Sequence, residues 1–201
     1  MDVICVLFDM DGVLTDSFGS CHRAFEDALV HFGHLQIGPE EYRRRCWGTP
    51  VEEDFEAYLG KAMAPEATEY YHAHYQEFIG YSTVAPGAEE VLQALRGRGL
   101  GLAVVTNTHR SLATLILRHF RLYDYFDAVL GGDDVRRGKP DPEIVMKACE
   151  ALGSPAARAV LVGDTENDMK AGKAAGCTTV GLGVEGDFRI EALGELLEVL
   201  G

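Results

Sequence analysis

Two aspartates placed two positions apart, directly after a short apolar run, constrain this chain more than any other feature. The run from Val3 to Phe8 is long enough for one buried strand, and Asp9 and Asp11 follow it. If the chain is still extended there, side chains at that spacing point the same way. Gly12 then allows the backbone to turn sharply. Two acids at the end of a first strand lie where an open α/β sheet places its ligand crevice, and such close carboxylates need a cation or a shared proton.

Alternating apolar runs and helical periods beyond residue 85 indicate a parallel sheet. The runs that predict further strands lie at residues 102–105, 126–130, 159–162 and 179–182. Asp141 and Pro142 predict the N-cap and the first residue of one helix, and residues 190–200 predict a final amphipathic helix. Because strand-helix alternation implies right-handed crossovers, we predict an α/β fold with a Rossmann-like parallel sheet.

A helical segment interrupts this alternation after the first strand. Apolar residues recur at helical spacing over residues 18–32, 39–46, 51–59 and 65–79, with no strand between them. The stripe formed by Tyr70, Tyr71, Tyr75 and Phe78 is interpreted as the core of a helix bundle. We therefore predict an α/β core of residues 1–15 and 85–201, with a small helical domain of residues 16–84 inserted into it.

The composition narrows the classes of partner. The 201 residues include 18 basic and 32 acidic side chains, a formal net charge of -14, so no basic patch is expected for nucleic acid or an anionic membrane. No apolar run approaches the ~20 residues of a membrane span, and the first residues do not resemble a signal peptide. The five cysteines form no CxxC or Cys/His pattern and are interpreted as reduced, mostly buried residues of a cytoplasmic protein.

Polar residues collect where the predicted strands of the core end. Thr106 and Asn107 follow the second predicted strand, Asp164 and Asp168 follow the fourth, and Lys139 precedes a helix start. Each of these residues alone has a structural explanation, such as a strand end, a surface lysine or an acidic helix cap. Their order on the right elements favours one site, because the carboxyl ends of parallel strands share one edge. Carboxylates suited to Mg²⁺ beside an anion site are the groups that phosphoryl transfer requires.

These motifs resemble those of the haloacid dehalogenase-like hydrolase superfamily, over essentially the whole chain. The four matching motifs are Asp9-Met10-Asp11-Gly12-Val13, Thr106, Lys139 within Gly-Lys-Pro, and Gly163-Asp164 with Asp168. The helical insertion after the first motif is similar to the cap of the phosphoglycolate phosphatase and β-phosphoglucomutase branch. The resemblance implies a phosphatase acting on a small phosphorylated metabolite, as a monomer or a homodimer, without nucleic acid or membrane partners.

The resemblance also implies roles for the matching positions. Asp9 would be the nucleophile that forms an aspartyl-phosphate, and Asp11 would protonate the leaving oxygen and then activate water. Thr106, Asn107 and Lys139 would bind the phosphoryl group, with Lys139 neutralising charge.

A Mg²⁺ ion and a substrate-binding set are implied in the same way. Asp9, the Asp11 carbonyl and Asp164 would hold the metal, supported by Asp168. Gly12 would lie against the phosphate. Arg45 and Trp47 of the cap are candidates for substrate binding, with Phe18, His22, Arg23, Arg43, Arg44 and Thr49 as further candidates.

Several alternatives stay open. Asp11 argues against a dehalogenase, because that branch lacks this second aspartate. Lys61, the only cap lysine, lies in no motif of the phosphonate-cleaving branch. A signalling receiver domain shares the residue types, but it accepts phosphate at the third strand. The mutase branch has a cap histidine four residues beyond the motif's serine or threonine. Here that position, four beyond Ser17, is Cys21; His22 is one residue late, about 100° around a helix.

Overall fold

The chain forms two units in this computed structural model, which describes residues 2–201. The larger unit combines the residues up to Thr15 with Val84–Gly201, and the smaller unit is Asp16–Thr83. Two short strands, β2 (Thr15–Asp16) and β3 (Thr83–Val84), form a separate two-stranded sheet where the chain passes from one unit to the other. The insertion is therefore continuous in sequence and begins and ends at paired strands.

A six-stranded parallel sheet runs through the larger unit. Its other strands are β1 (Cys5–Phe8), β4 (Gly101–Val105), β5 (Ala128–Leu130), β6 (Ala159–Gly163), β7 (Thr178–Leu182) and β8 (Phe188–Ile190). The order across the sheet is β5-β4-β1-β6-β7-β8, and each strand is parallel to its neighbours. Phe8, the last residue of β1, lies in register with Val104 and Val162 on its two neighbours. The chain leaves β1 toward β4 and later returns to its other side at β6, which makes β1 the switch point of a Rossmann-like sheet. The predicted fold class is confirmed.

Helices cover the faces of this sheet. They are α5 (Ala88–Gly97), α6 (Arg110–His119), α7 (Glu143–Ala151), α8 (Glu166–Ala175) and α9 (Leu196–Leu200). Leu7 of β1 and Leu161 of β6 are fully buried in one core cluster with Ile144 and Ala148 of α7 and Ala171 of α8. The apolar runs of the sequence are thus strands covered on both faces, as parallel sheets require.

Two sequence-based predictions need correction. Residues 190–200 are not one helix: Phe188–Ile190 is the edge strand β8, and only Leu196–Leu200 is α-helical. Apolar spacing fits a helix there, but hydrogen bonding to β7 decides the structure, since the Gly183 N–H donates to the Ile190 carbonyl at 2.9 Å. Helix α7 begins at Glu143 with Pro142 as its N-cap residue, one position later than predicted. The Asp141 carboxylate still accepts the Glu143 N–H at 3.1 Å.

The smaller unit consists of helices packed through aromatic rings. The helices are α1 (Phe18–His31), α2 (Pro39–Arg45), α3 (Val51–Leu59) and α4 (Ala64–Phe78). Phe25 of α1 stacks on Phe55 of α3 with ring centroids 4.5 Å apart. Tyr71 and Tyr75 of α4 are buried, whereas Tyr70 lies at the margin and donates to an Asp27 oxygen at 3.0 Å. The aromatic stripe is therefore mainly a bundle core, as predicted.

Residues 2–201 contain no helix of the length and apolarity that a bilayer crossing demands. The five cysteines are buried, as predicted, and within residues 2–201 none of them forms a disulfide.

A buried acid in the helical unit has a pKa that its surroundings raise. The Thr49 hydroxyl lies 2.7 Å from the Cys46 carbonyl and 2.7 Å from an Asp54 carboxyl oxygen. The hydroxyl is the donor toward both acceptors, so its single proton is shared between the carbonyl and the carboxyl oxygen. Burial raises the pKa of Asp54 to about 8, the Thr49 bond acts against this rise, and the Glu53 charge adds to it.

Asp54→Asn should therefore stabilise the protein at alkaline pH. The native protein holds the Asp54 proton more tightly than the unfolded chain, so its stability falls as pH rises from about 4 to about 8. Asparagine does not titrate, and its amide oxygen can accept from the Thr49 hydroxyl as the carboxyl oxygen does. In urea unfolding, the variant's free energy of unfolding relative to wild type should increase by roughly 1 kcal/mol or more between pH 5 and 9. The control is Glu52→Gln, a change at an exposed residue of the same helix. A difference independent of pH would contradict the assignment.

Candidate active site

A buried lysine joins two aspartates, one that follows β1 and one in the first turn of α8. Lys139 Nζ lies 2.7 Å from Asp9 Oδ1 and 2.6 Å from Asp168 Oδ1, and it donates to the Val105 carbonyl at 2.9 Å. Asp9 directly follows β1, where its N–H continues the ladder to the Val162 carbonyl at 2.9 Å. Lys139 is 3% exposed and Asp9 6%. All three of the lysine's donors are thus satisfied within a buried site.

The charges of this cluster shift the pKa values of its members. Burial lowers the pKa of Lys139, but the adjacent Asp168 and Asp9 carboxylates outweigh burial and raise it, so the lysine is held charged. Burial raises the pKa of Asp9 well above its usual value. Lys139 acts against this rise, while the charges of Asp168, Asp164 and Asp11 add to it. A single ammonium does not balance the carboxylates gathered here.

Asp168 owes its position to the first turn of α8. Thr165 is the N-cap residue, and its hydroxyl donates to Asp168 Oδ2 at 2.5 Å while the Asp168 N–H points back to the hydroxyl at 3.3 Å. The Thr165 N–H also donates to Asp168 Oδ2 at 3.0 Å. This reciprocal capping box was readable from the Thr-x-x-Asp spacing. Both Asp168 oxygens are therefore engaged, one by Lys139 and one by Thr165.

Asp11, the second acid of the first motif, contacts two threonines that follow β4. Its Oδ2 atom accepts from Thr108 Oγ1 at 2.9 Å and lies 3.5 Å from Thr106 Oγ1. Thr106 was predicted from the sequence as a site residue, whereas Thr108 was not. The only signal for Thr108 was its place two residues beyond Thr106, where an extended chain would point the two side chains the same way.

The Asn107 side chain makes two hydrogen bonds to the backbone of Lys139. Its amide Nδ2 donates to the Lys139 carbonyl at 3.0 Å, and its Oδ1 accepts the Lys139 N–H at 2.8 Å. The side chain predicted to bind phosphate thus holds the backbone of the lysine loop.

Gly12 leaves room for the Asp164 carboxylate, and its own N–H is already hydrogen-bonded. Its φ is 88°, a left-handed conformation that favours glycine, and a Cβ there would collide with the Asp164 carboxylate. Its N–H donates to the Thr15 carbonyl at 2.7 Å. The predicted contact of Gly12 with phosphate therefore cannot use this N–H in the present arrangement.

Three carboxylates form a group suited to a divalent cation. One oxygen from each of Asp9, Asp164 and Asp168 lies within 4.8 Å of the others. Hard oxygen donors of this kind are the ligands that Mg²⁺ prefers. Three carboxylates and the Lys139 ammonium leave an excess of two negative charges, which a divalent cation would balance. The residues present thus fit such a metal, with Asp9 and Asp164 as the better candidates for direct ligands because Asp168 is already doubly bonded.

The candidate residues of the helical unit make contacts within that unit. Arg45 pairs with Glu41 at 3.2 Å and lies over the Tyr58 ring at 4.8 Å. The Trp47 ring lies 5.3 Å from the Phe18 ring, centroid to centroid.

Four of the further candidates likewise contact other residues of the helical unit. The Arg43 guanidinium covers the Phe18 ring at 3.9 Å, and that of Arg23 covers the Tyr81 ring at 4.2 Å. The His22 ring bonds to the Ile37 carbonyl at 2.9 Å, and Thr49 bonds to Cys46 and Asp54 as described. Arg44 is exposed on α2.

Comparison with known proteins establishes the family. A sequence model described as haloacid dehalogenase-like hydrolase matches residues 6–182. The chain belongs to this family. A phosphoglycolate phosphatase of Aquifex aeolicus (strain VF5) is 36% identical over 175 residues, covering 87% of this chain and 82% of the relative. The pyrophosphatase PpaX of Halalkalibacterium halodurans is 30% identical, covering 100% of this chain and 98% of the relative.

A solved structure supports the same assignment. The subfamily IA, variant 1 hydrolase of Geobacter sulfurreducens PCA superimposes with a TM-score of 0.81 at 29% identity, covering 98% of this chain and 99% of that one. This haloacid dehalogenase-like hydrolase is therefore an enzyme of the phosphatase type. Its Asp9, Thr106 and Asp164 follow β1, β4 and β6 respectively, and Lys139 lies in the loop before α7.

Proposed function

We propose that this enzyme hydrolyses a small phosphorylated metabolite through an aspartyl-phosphate on Asp9, with Mg²⁺ as its cofactor. The observation that carries the proposal is the buried Asp9, which Lys139 holds at 2.7 Å beside two further carboxylates. Lys139 fixes one Asp9 oxygen, so the second oxygen is the nucleophile. The two-residue spacing to Asp11 supplies the acid and base that hydrolysis needs.

The chain's own residues divide the work between two steps. In the first step, an Asp9 oxygen forms a bond to phosphorus while the bond to the leaving oxygen breaks, and Asp11 gives its proton to that oxygen. In the second step, Asp11 takes a proton from water, which attacks phosphorus and releases Asp9. Lys139 neutralises charge on Asp9 and the phosphoryl group, and the Thr106 hydroxyl donates to a phosphoryl oxygen.

The cation would be held by Asp9, Asp164 and the Asp11 carbonyl, with Asp168 supporting them through Lys139. When bound, Mg²⁺ supplies positive charge beside the transferring phosphoryl group.

Turnover should require Mg²⁺ and cease in EDTA. The carboxylates repel one another without a cation, and phosphoryl charge would add to that repulsion. Ca²⁺ should bind but support little turnover, because it accepts looser coordination and would misplace the reacting groups. Release of inorganic phosphate is the measurement. The control adds Mg²⁺ in excess of the chelator, which should restore the rate. Full activity in chelator would refute the metal assignment.

The proposed substrates are small phosphorylated acids or sugar phosphates. The names of the relatives, a phosphoglycolate phosphatase and a pyrophosphatase, support this class. We propose that the helical unit acts as a cap carrying substrate contacts, with Arg45 and Trp47 as candidates and Arg44 as a further exposed cation of α2. A panel of phosphorylated metabolites, assayed for phosphate release, tests the class.

Phosphatase chemistry is favoured over mutase chemistry by the contacts of α1. Cys21 occupies the position expected of a mutase histidine, and its thiol lies 3.5 Å from the Tyr75 hydroxyl. His22 is 9% exposed and bonds to the Ile37 carbonyl. The helix position expected of the mutase histidine therefore carries a thiol, and the imidazole of His22 lies one residue further along α1. Family membership likewise favours a hydrolase over a receiver domain.

We expect phosphate release from β-glucose 1-phosphate, if it is accepted at all, to exceed formation of glucose 6-phosphate. The assay includes a trace of the 1,6-bisphosphate, which a mutase needs, and measures both products over time. An established phosphoglucomutase run in parallel is the control. Glucose 6-phosphate forming faster than free phosphate would overturn the hydrolase assignment in favour of the mutase.

A further inference from the structure

We propose that Thr108 is a positioning residue for Asp11, and that it orients this acid for proton transfer to the leaving group. The inference rests on the proposed function, because it takes Asp11 to be the acid and base. Thr108 lies outside the four motifs and was selected only by its contact with Asp11.

The distances separate the roles of two neighbouring hydroxyls. Thr108 Oγ1 lies 2.9 Å from Asp11 Oδ2, within the range of an O–H···O bond, whereas Thr106 Oγ1 lies 3.5 Å away, beyond it. Thr106 Oγ1 also accepts the Thr108 N–H at 3.1 Å. Thr108 therefore donates to the acid, and the hydroxyl proton of Thr106 is left for a phosphoryl oxygen.

The backbone of Thr108 is held from both sides. Its N–H is bonded to Thr106 Oγ1, and its carbonyl accepts the Gly132 N–H at 3.0 Å. A Cβ on Gly131 would collide with the backbone of Arg110 and the carbonyl of Thr108, so the turn after β5 packs directly on this loop. The turn is itself fixed, because Asp134 Oδ2 accepts the Gly131 N–H at 2.9 Å. A threonine fixed in this way can hold Asp11 at a defined rotation.

The contact also suggests a division between the two Asp11 oxygens. Because Oδ2 accepts from Thr108, we assign the transferable proton to Oδ1. In the first step this proton moves from Asp11 to the oxygen that leaves phosphorus as the Asp9 bond forms. Loss of the Thr108 hydroxyl would free Asp11 to rotate, and proton transfer would lose its alignment.

Leaving groups of different basicity test this role. p-Nitrophenolate departs without protonation, whereas the alkoxide of 2-phosphoglycolate needs a proton. Thr108→Val, which keeps the shape but removes the hydroxyl, should lower kcat/KM for 2-phosphoglycolate by about tenfold to a hundredfold and that for p-nitrophenyl phosphate by less than about threefold. Thr108→Ser should restore most of the loss. Thr178→Val, the same change at a half-buried residue of β7, is the matched control.

Equal losses on both substrates, or no rescue by serine, would overturn the role of Thr108. Asp11→Asn is measured in parallel. If Asp11→Asn shows no preference between the substrates, the acid role of Asp11 fails and the inference fails with it. If Asp11→Asn is selective and Thr108→Val is not, only the assignment of Thr108 is wrong.

Discussion

Asp9→Asn is expected to reduce phosphate release by far more than a hundredfold while the protein stays folded. An amide oxygen is too weak a nucleophile to displace the leaving group, so no aspartyl-phosphate forms. In chelator, the melting temperature should be equal to or above that of wild type, because the substitution removes one of several buried carboxylates that repel one another. Steady-state kinetics and thermal unfolding by circular dichroism measure the two effects.

The matched control is Asp124→Asn, the same change at an exposed position of the larger unit, which should alter neither property. A folded Asp9→Asn protein that retains more than about a hundredth of the wild-type rate would exclude the nucleophilic role. A variant that fails to fold would instead show that the Asp9 contact with Lys139 is needed for the structure.

Lys139→Met should combine loss of turnover with a large loss of stability. The substitution leaves Asp9 and Asp168 buried without their shared cation, and breaking a buried ion pair in this way costs about 3–5 kcal/mol. For a chain of this length, the melting temperature should fall by roughly 10 °C. Activity should fall at least a hundredfold at temperatures where the variant is folded, because the phosphoryl charge loses its ammonium.

Lys170→Met provides the comparison for this prediction. Lys170 pairs with Glu166 at 2.9 Å on the exposed surface of α8, so its loss should change the melting temperature little. Similar melting temperatures for the two lysine variants would contradict the structural role of Lys139. Retained turnover in folded Lys139→Met would contradict its catalytic role.

The sheet and the charged centre of the site could be predicted from the sequence with simple rules. Apolar runs mark the buried strands, and a parallel sheet gathers the residues after β1, β4 and β6 at one edge. Asp9 and Asp164 could therefore be predicted to converge. Their distance in sequence does not matter, because the sheet order alone brings them together.

The finer contacts could not be predicted because they depend on how two loops meet. The Asn107 amide bonds to the backbone of Lys139, 32 residues away, and this pairing depends on the path of the lysine loop. The contact of Thr108 with Asp11 likewise needs the rotamer of each side chain. The edge strand at Phe188–Ile190 was missed for a different reason, since its apolar spacing with the residues that follow also fits a helix.

The paired strands at the ends of the insertion have an evolutionary consequence. Leu14 and Ala85 are joined by a 2.9 Å hydrogen bond from the Ala85 N–H to the Leu14 carbonyl, although 70 residues separate them. The two ends are thus fixed by the core itself, and the entropy of closing the loop grows only slowly with its length. During evolution, the helical unit could be lengthened, shortened or exchanged without altering the sheet. Substrate preference could then diverge while the chemistry at Asp9 and Lys139 is inherited intact.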